Sequence, residues 1–162
     1  MRENNIKKNN RGFSLVELIV VVAIMAVLVV ILAPAMLRYV EKTRLQKDES
    51  ALSEAANAAE LALGEDSIMS AINGTPDILL TITETDITDD ASYVSGTSGS
   101  PVSDEVKKTV GNGITFVSKT YHSSPATAYV KLTYDSGKGA YVFARTTAGK
   151  PFATASGNLN TH

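Results

Sequence analysis

The chain has no cysteine and no tryptophan, and only two of its 162 residues are histidines. Without cysteine it cannot form a disulfide, a thiolate nucleophile or a cysteine-ligated zinc site. His122 and His162 are too few for a multi-histidine metal centre, and no Ser-His-Asp arrangement stands out. A net charge of −2 also argues against a general nucleic-acid binder. We therefore expect no catalytic residue, no metal, no cofactor and no nucleic-acid partner.

Charge is missing from one long stretch near the N-terminus, because the twenty residues from Leu18 to Leu37 carry none. As a helix this run would span about 30 Å, the thickness of the hydrocarbon core of a bilayer. Its apolar residues surround the whole helix, whereas a helix of a soluble protein usually keeps a polar stripe. Residues 1–12 carry four cations against one acid, namely Arg2, Lys7, Lys8 and Arg11 against Glu3. This flank predicts that the N-terminus stays in the cytoplasm and that the rest lies outside.

Glu17 stands directly before the apolar run. An acid in a membrane span costs about 2.5 to 3.5 kcal/mol at the bilayer centre and less near the interface. A cleaved secretory signal would have a shorter apolar stretch, with Ala33-Pro34-Ala35 as a faint cleavage site. A plain membrane anchor explains the length and the basic flank. Neither interpretation explains the acid.

The segment Arg11-Gly12-Phe13-Ser14-Leu15-Val16-Glu17-Leu18 joins a basic leader and a glycine to Phe-Ser-Leu-x-Glu and then to the apolar run. It resembles the cleavage and methylation segment of type IV prepilins and their pseudopilin relatives, over roughly residues 7 to 40. The resemblance implies that a prepilin peptidase cuts between Gly12 and Phe13 at the cytoplasmic face. The same resemblance implies N-methylation of the new Phe13 amine. The chain would then be the substrate of this chemistry and not an enzyme.

Two roles are open for Glu17. Cleavage would place the charged Phe13 amine at the positive end of the helix dipole, where it is unfavourable. Glu17 lies four residues later, on the same face of the helix. Its carboxylate could neutralise the amine of its own chain or cap free N–H groups of the first turn. Alternatively it could meet the Phe13 amine of a neighbouring subunit and set the axial register, which the resemblance favours.

Pro34 lies inside the apolar run. It lacks an N–H and clashes with the carbonyl of Val30, which predicts a kink or local unwinding between about residues 30 and 34. One interpretation is an ordinary membrane-helix proline without a special role. The resemblance implies instead a stretch that loosens when subunits pack.

Beyond Leu37 the pattern becomes amphipathic, with Ala and Leu at three- and four-residue steps up to Leu63. Strong helix formers and the absence of Gly there predict one helix from about Ser14 to Leu63. We divide the chain into a leader (1–12), a membrane or filament-core half of the helix (13–37), an amphipathic half (38–63) and a globular headgroup (64–162). The charges at 38–47 are either a solvated face at the membrane exit or contacts between stacked subunits.

The headgroup is predicted to be small and antiparallel, which gives an α+β fold with a pilin-like plan. We expect short helices at 66–72 and 103–110 and a strand at 78–83. Period-two patterns predict a three-stranded antiparallel meander from residues 114–121, 128–134 and 140–145, packed on the outer half of the helix. The tail at 149–162 is expected to fray or to lie over the headgroup.

A run of acids within residues 84–90 raises the question of calcium, whose ligands are oxygen atoms. The acids are Glu84, Asp86, Asp89 and Asp90. Their spacing is not that of a known calcium loop, so we favour a solvated acidic turn.

The sequence therefore predicts a structural subunit of a type IV pilus, exported as a single-pass protein of the cytoplasmic membrane and then assembled into an extracellular fibre. The resemblance implies four partners: the prepilin peptidase, identical or related pilin subunits, the membrane before assembly, and the pilus assembly platform. One alternative is a pseudopilin of a type II secretion or competence system. An alternative of another class is a membrane-anchored extracellular binding protein that never polymerises.

Overall fold

The computed structural model describes residues 13–122, 127–143 and 153–154. Its helices are α1 (Leu15–Leu63), α2 (Asp66–Ala71) and α3 (Pro101–Val110), and its strands are β1 (Ile78–Thr83), β2 (Ile87–Asp89), β3 (Thr127–Asp135), β4 (Ala140–Phe143) and β5 (Ala153–Thr154). A long N-terminal helix and a small antiparallel sheet confirm the predicted α+β class.

Helix α1 runs for 49 residues without interruption, which confirms the helix predicted from about Ser14 to Leu63. The helix continues through Pro34, so the unwinding expected just before it is not seen in the isolated chain. The bend expected at Pro34 stays a prediction. The chain divides into two compact units, one ending at Val40 and one beginning at Glu41.

The core of the second unit forms where the C-terminal part of α1 packs against the sheet. This part of α1 buries an apolar stripe, namely Leu52, Ala55, Ala56, Ala59, Ala62 and Leu63. The sheet contributes fully buried aliphatic side chains, namely Ile78, Leu80 and Ile82 from β1 and Val130 and Leu132 from β3. Each of these larger side chains contributes about 1.5 to 3 kcal/mol on burial. The alanines of the stripe have small side chains and contribute less each.

The sheet has the strand order β2-β1-β3-β4, with every pair antiparallel. Strand β1 pairs with β3 from Ile78↔Leu132 to Thr83↔Thr127. Strand β5 pairs with the first part of β3, at Ala128↔Thr154 and Tyr129↔Ala153. Because β1 occupies one side of β3, strand β5 lies on the same side as β4.

The predicted hairpin of β3 and β4 is confirmed, with its turn at residues 135–139. The Asp135 carboxylate accepts the Gly137 N–H at 2.9 Å, and the Asp135 carbonyl accepts the Gly139 N–H at 2.8 Å. Gly139 has a φ of 64°, a conformation that other residues rarely adopt. The predicted second strand extended to residue 145, and residues 144 and 145 lie outside the described residues.

The strand predicted at 114–121 is wrong, and so is the three-stranded meander built on it. The alternation itself is real, because Ile114, Phe116 and Ser118 are buried while Thr115 is exposed. No neighbouring strand pairs with this segment in the described part of the chain, because β1 fills the place beside β3. A period-two pattern reports which side chains face the core, and a sheet also needs a partner backbone.

Two smaller corrections concern the headgroup. Strand β2 lies in the acidic run, where no strand was predicted. Within the tail, Ala153–Thr154 pair with β3, which agrees with the second alternative, a tail that lies over the headgroup. The short helices are close to their predicted limits, and α3 begins two residues early because Pro101 suits a first helical position.

Candidate functional site

The first turn of α1 is closed by the side chain of Glu17. The backbone N–H of Ser14 donates to Oε2 of Glu17 at 2.9 Å. In return, the N–H of Val16 donates to Oγ of Ser14 at 3.4 Å, a long contact. This Ser-x-x-Glu arrangement is a capping box, in which the two side chains satisfy backbone donors that the helix leaves free. The geometry matches the capping role considered for Glu17.

The cap leaves much of the carboxylate available. Glu17 is exposed, and Ser14 is its one hydrogen-bond partner among the described residues. A carboxylate has two oxygens and about four acceptor positions, so Glu17 can keep this bond and accept a further donor. Phe13 is 88% exposed beside it. A cation can therefore approach Glu17 without breaking the first turn.

The apolar part of α1 has no protein cover in this structure. Every residue from Phe13 to Val40 is exposed, and the large side chains include valine, leucine, isoleucine and methionine throughout. By length and composition, α1 is the one helix in the described part of the chain that could cross a membrane. Exposed apolar surface of this extent marks a site that contacts lipid or another protein.

The other predicted site residues are Pro34 and Gly12. Pro34 lies within α1 and is exposed. Gly12 and the bond that follows it lie outside the described residues, so the cleavage site stays a prediction. The intermolecular pairing of Glu17 with Phe13 also stays a prediction, since the structure contains a single chain.

Three carboxylates of α1 that the sequence analysis did not single out bind main-chain N–H groups of the headgroup. Asp48 is 1% exposed and accepts the N–H groups of Val117, at 3.1 Å, and Ser118, at 2.8 Å. Glu41 accepts the N–H of Lys119 at 2.5 Å. Glu60 accepts the N–H of Phe143 at 2.9 Å.

A signal for Asp48 was present in the sequence. It precedes Leu52 by four residues and Ala55 by seven, which puts it on the buried stripe of the helix. A buried carboxylate requires hydrogen-bond donors, so an acid on an apolar stripe predicts a polar contact inside the fold. The sequence could not show that the donors belong to residues 117 and 118, because they lie about seventy residues away.

The acids at 84–90 have separate partners within the protein. Asp86 pairs with Lys107 at 2.8 Å, and the hydrogen bond from this lysine lowers the pKa of the carboxyl. Asp89 accepts hydrogen bonds from the Tyr93 hydroxyl and from the Ser103 N–H. Burial and then the bond to Asp89 raise the pKa of Tyr93 above its usual range.

The other two acids of this run point to different places. Asp90 accepts the N–H of Leu79 at 2.6 Å, and Glu84 lies 3.7 Å from Nδ1 of His122. No group of three or more potential metal ligands converges among the described residues. Each acid therefore contacts its own partner near a turn or a strand end. These contacts are more specific than those expected of a solvated acidic turn.

A comparison with protein families gives a match in the N-terminal part of the chain. Residues 7–33 match the family model described as "Prokaryotic N-terminal methylation motif". The match covers residues 7–12 of the basic leader, the capped first turn and most of the apolar run. No curated protein and no solved structure matches the chain.

Proposed function

We propose, from the signature of type IV pilins and pseudopilins that this chain carries at residues 7–33, that it is a structural subunit of a type IV pilus. In this proposal prepilin peptidase removes residues 1–12, Phe13 becomes N-methylated, and the subunits polymerise through α1. Before assembly the subunit is held in the cytoplasmic membrane with its headgroup outside. The family match, at the start of a helix whose N-terminal apolar run is uncovered, carries the proposal.

The exposed helix supports burial against lipid first and against other subunits later. Lipid tails and the helices of a filament core are both apolar, so transfer between them changes the hydrophobic free energy little. Polar contacts would then decide where each subunit docks. Glu17 is the one charged group between Phe13 and Leu37, and it keeps a free oxygen beside the capped turn.

The amine freed at Phe13 is the natural partner of that carboxylate. An amine and a carboxylate 4 Å apart attract each other by about 1 kcal/mol in water and far more in apolar surroundings. A subunit at the wrong height would leave both charges buried and unpaired, which is strongly unfavourable. The pair would thus select the axial position, while apolar packing holds the subunits together.

The proposal is tested by the N-terminus of the protein in its own cells. We expect mass spectrometry to show a chain that begins at Phe13 and is one methyl group heavier than the cleaved sequence. Gly12→Val should keep residues 1–12 attached, because the peptidase requires close approach to a residue without a Cβ. Asn10→Val, a matched leader variant two residues away, should be trimmed normally.

The outcomes separate the candidate functions. An uncut chain that still carries Met1 would contradict the proposal and favour an anchored binding protein that does not polymerise. A trimmed chain that forms long surface fibres, seen by electron microscopy, supports a pilin. A trimmed chain without surface fibres, whose deletion blocks secretion or DNA uptake, would indicate a pseudopilin instead.

A further inference from the structure

Three cations lie on α1 just beyond Val40, namely Lys42, Arg44 and Lys47, and all three are exposed. Arg44 has a partner, since its guanidinium lies 3.9 Å from Glu41. Lys42 and Lys47 take part in no ion pair or hydrogen bond with the residues that the structure describes. Two ammonium groups therefore face solvent without a counter-charge from the described part of the chain.

The nearest acids, Glu41, Asp48 and Glu49, lie one or two residues from one of these lysines, and side chains at that spacing on a helix do not face each other. Glu41 is half-buried and accepts the N–H of Lys119. Asp48 is buried beneath residues 117 and 118 and directs its carboxylate at their N–H groups. The sequence shows a mixed-charge stretch here, whereas the fold turns two of its acids inward and leaves the cations outside.

The arrangement of the two lysines is unsuited to a single flat partner. They are five residues apart on a helix, which separates them by about 140° around its axis. A protein surface that docks on one face of the helix would contact one of the two lysines well. A layer of lipid headgroups that surrounds the helix would contact both. Lys42 follows Leu37, the end of the uncharged run, by five residues. Long lysine stems can reach from such a position to the membrane interface.

We propose that Lys42 and Lys47 bind the anionic phospholipid headgroups of the outer leaflet of the membrane that α1 crosses. The inference rests on the proposed function only in requiring that the apolar run spans a membrane. The interaction would hold the subunit at a fixed depth before it is assembled. Each such cation near an anionic membrane surface strengthens its binding about fivefold at moderate salt.

The test uses the full chain reconstituted in vesicles of phosphatidylcholine with a minor fraction of phosphatidylglycerol. Spin-labelled analogues of both lipids report, by electron paramagnetic resonance, which lipid is enriched around the protein. We expect phosphatidylglycerol to be enriched several-fold around the native chain. In the double variant Lys42→Gln/Lys47→Gln this preference should fall at least threefold, and added salt should weaken it in the native chain.

The matched control is Lys108→Gln/Lys138→Gln, which removes the same charge from two exposed lysines that already have partners, Glu105 and Asp135. It should leave the lipid preference unchanged. An equal preference in the native chain and the Lys42/Lys47 variant would overturn the inference. So would an unchanged preference combined with loss of chemical cross-links between subunits, since the lysines would then contact other copies.

The state of the anchor separates this inference from the proposed function. A chain that resists extraction by alkaline carbonate but shows no lipid preference contradicts only the proposed contact of the lysines with lipid headgroups. A chain that alkaline carbonate releases from the vesicles contradicts the membrane span and the headgroup contact together.

Discussion

At the residue scale, the observed helix cap and the proposed pairing with Phe13 use different properties of the Glu17 side chain. One oxygen closes the first helical turn through Ser14, and this contact is seen in the single chain. The negative charge itself is not needed for that bond, because a neutral amide oxygen also accepts an N–H. The charge matters only if a cation approaches. Substitution can therefore separate the cap from the proposed pairing with Phe13.

We expect Glu17→Gln to keep the helix start and to abolish fibres. Gln also suits this position of a capping box, so the helical content in detergent, measured by circular dichroism, should stay within error of the native value. Fibre abundance by electron microscopy should fall at least tenfold, because the Phe13 amine would lack its counter-charge. Ser14→Ala is the reverse control, since it weakens the cap and keeps the charge. Fibres at normal abundance in Glu17→Gln would contradict the register argument.

At the scale of elements, the irregular segment from Gly111 to His122 is held by contacts that replace a sheet. Asp48 binds two of its N–H groups, and the N–H of Ile114 donates to the Thr83 carbonyl at 3.0 Å. At Gly113 a Cβ atom would lie 2.4 Å from the Glu84 carbonyl oxygen, so only glycine fits this close approach. Helix α1 thus shapes a loop far away in the sequence.

The change Asp48→Ala should destabilise the headgroup. It leaves the part-buried N–H of Val117 and the buried N–H of Ser118 without an acceptor, and we expect a loss of about 2 to 4 kcal/mol in the free energy of unfolding. Urea titration of the chain in detergent, followed by near-ultraviolet circular dichroism of the tyrosines, measures it. Asp48→Asn should lose less, since it keeps one acceptor oxygen.

Glu54 provides the comparison for this variant. It is exposed on the same helix and lies outside the buried stripe. Glu54→Ala should change the free energy of unfolding by less than about 0.5 kcal/mol. Equal effects of Asp48→Ala and Glu54→Ala would show that the buried hydrogen bonds contribute little.

Local sequence pattern predicted the elements well where neighbouring residues determine them. The whole of α1, the hairpin turn at Asp135–Gly139 and strand β1 follow from periodicity, helix formers and turn residues. The segment at 114–121 failed because its alternating side chains are buried against the core without a partner strand. The brace at Asp48 could not be predicted because its donors come from a loop whose path depends on the whole headgroup.

The candidate site also contains features that follow from local sequence and features that depend on the fold. The motif around Phe13 and Glu17 is local, and the capping contact follows from its Ser-x-x-Glu spacing. The contacts of Glu41 and Asp48 are not local, because their N–H donors, Lys119 and Ser118, lie seventy or more residues further along the chain.

At the scale of the whole molecule, the cations on the two sides of the apolar run are balanced. Four precede it, Arg2, Lys7, Lys8 and Arg11, and four follow it, Arg38, Lys42, Arg44 and Lys47. Orientation in a membrane depends mainly on Lys and Arg close to the span, and acids contribute little. With the leader attached, neither side has an excess. Without the leader cations the excess would lie on the headgroup side, so the proposed orientation with the headgroup outside depends on them.

We expect replacement of the four leader cations by Gln to give a mixed or inverted orientation. The chain has no native cysteine, so Ser95→Cys, at an exposed site of the headgroup, supplies a single label. Labelling of intact cells or spheroplasts with a membrane-impermeant maleimide should fall at least twofold in the variant. The paired substitution Lys42→Gln/Lys47→Gln shifts the balance the other way and should not reduce labelling. Unchanged labelling of the leader variant would show that other features set the orientation.

The hydrogen bonds between three carboxylates of α1 and the headgroup also have a mechanical consequence. Glu41, Asp48 and Glu60 are spread over nineteen residues of α1, or about 28 Å of its length. A force that pulls on the headgroup is distributed over several hydrogen bonds along the helix, in addition to the packing of the apolar core. If one of these hydrogen bonds breaks, the others remain. A fibre built from such subunits would therefore tolerate strain without a covalent crosslink within each subunit.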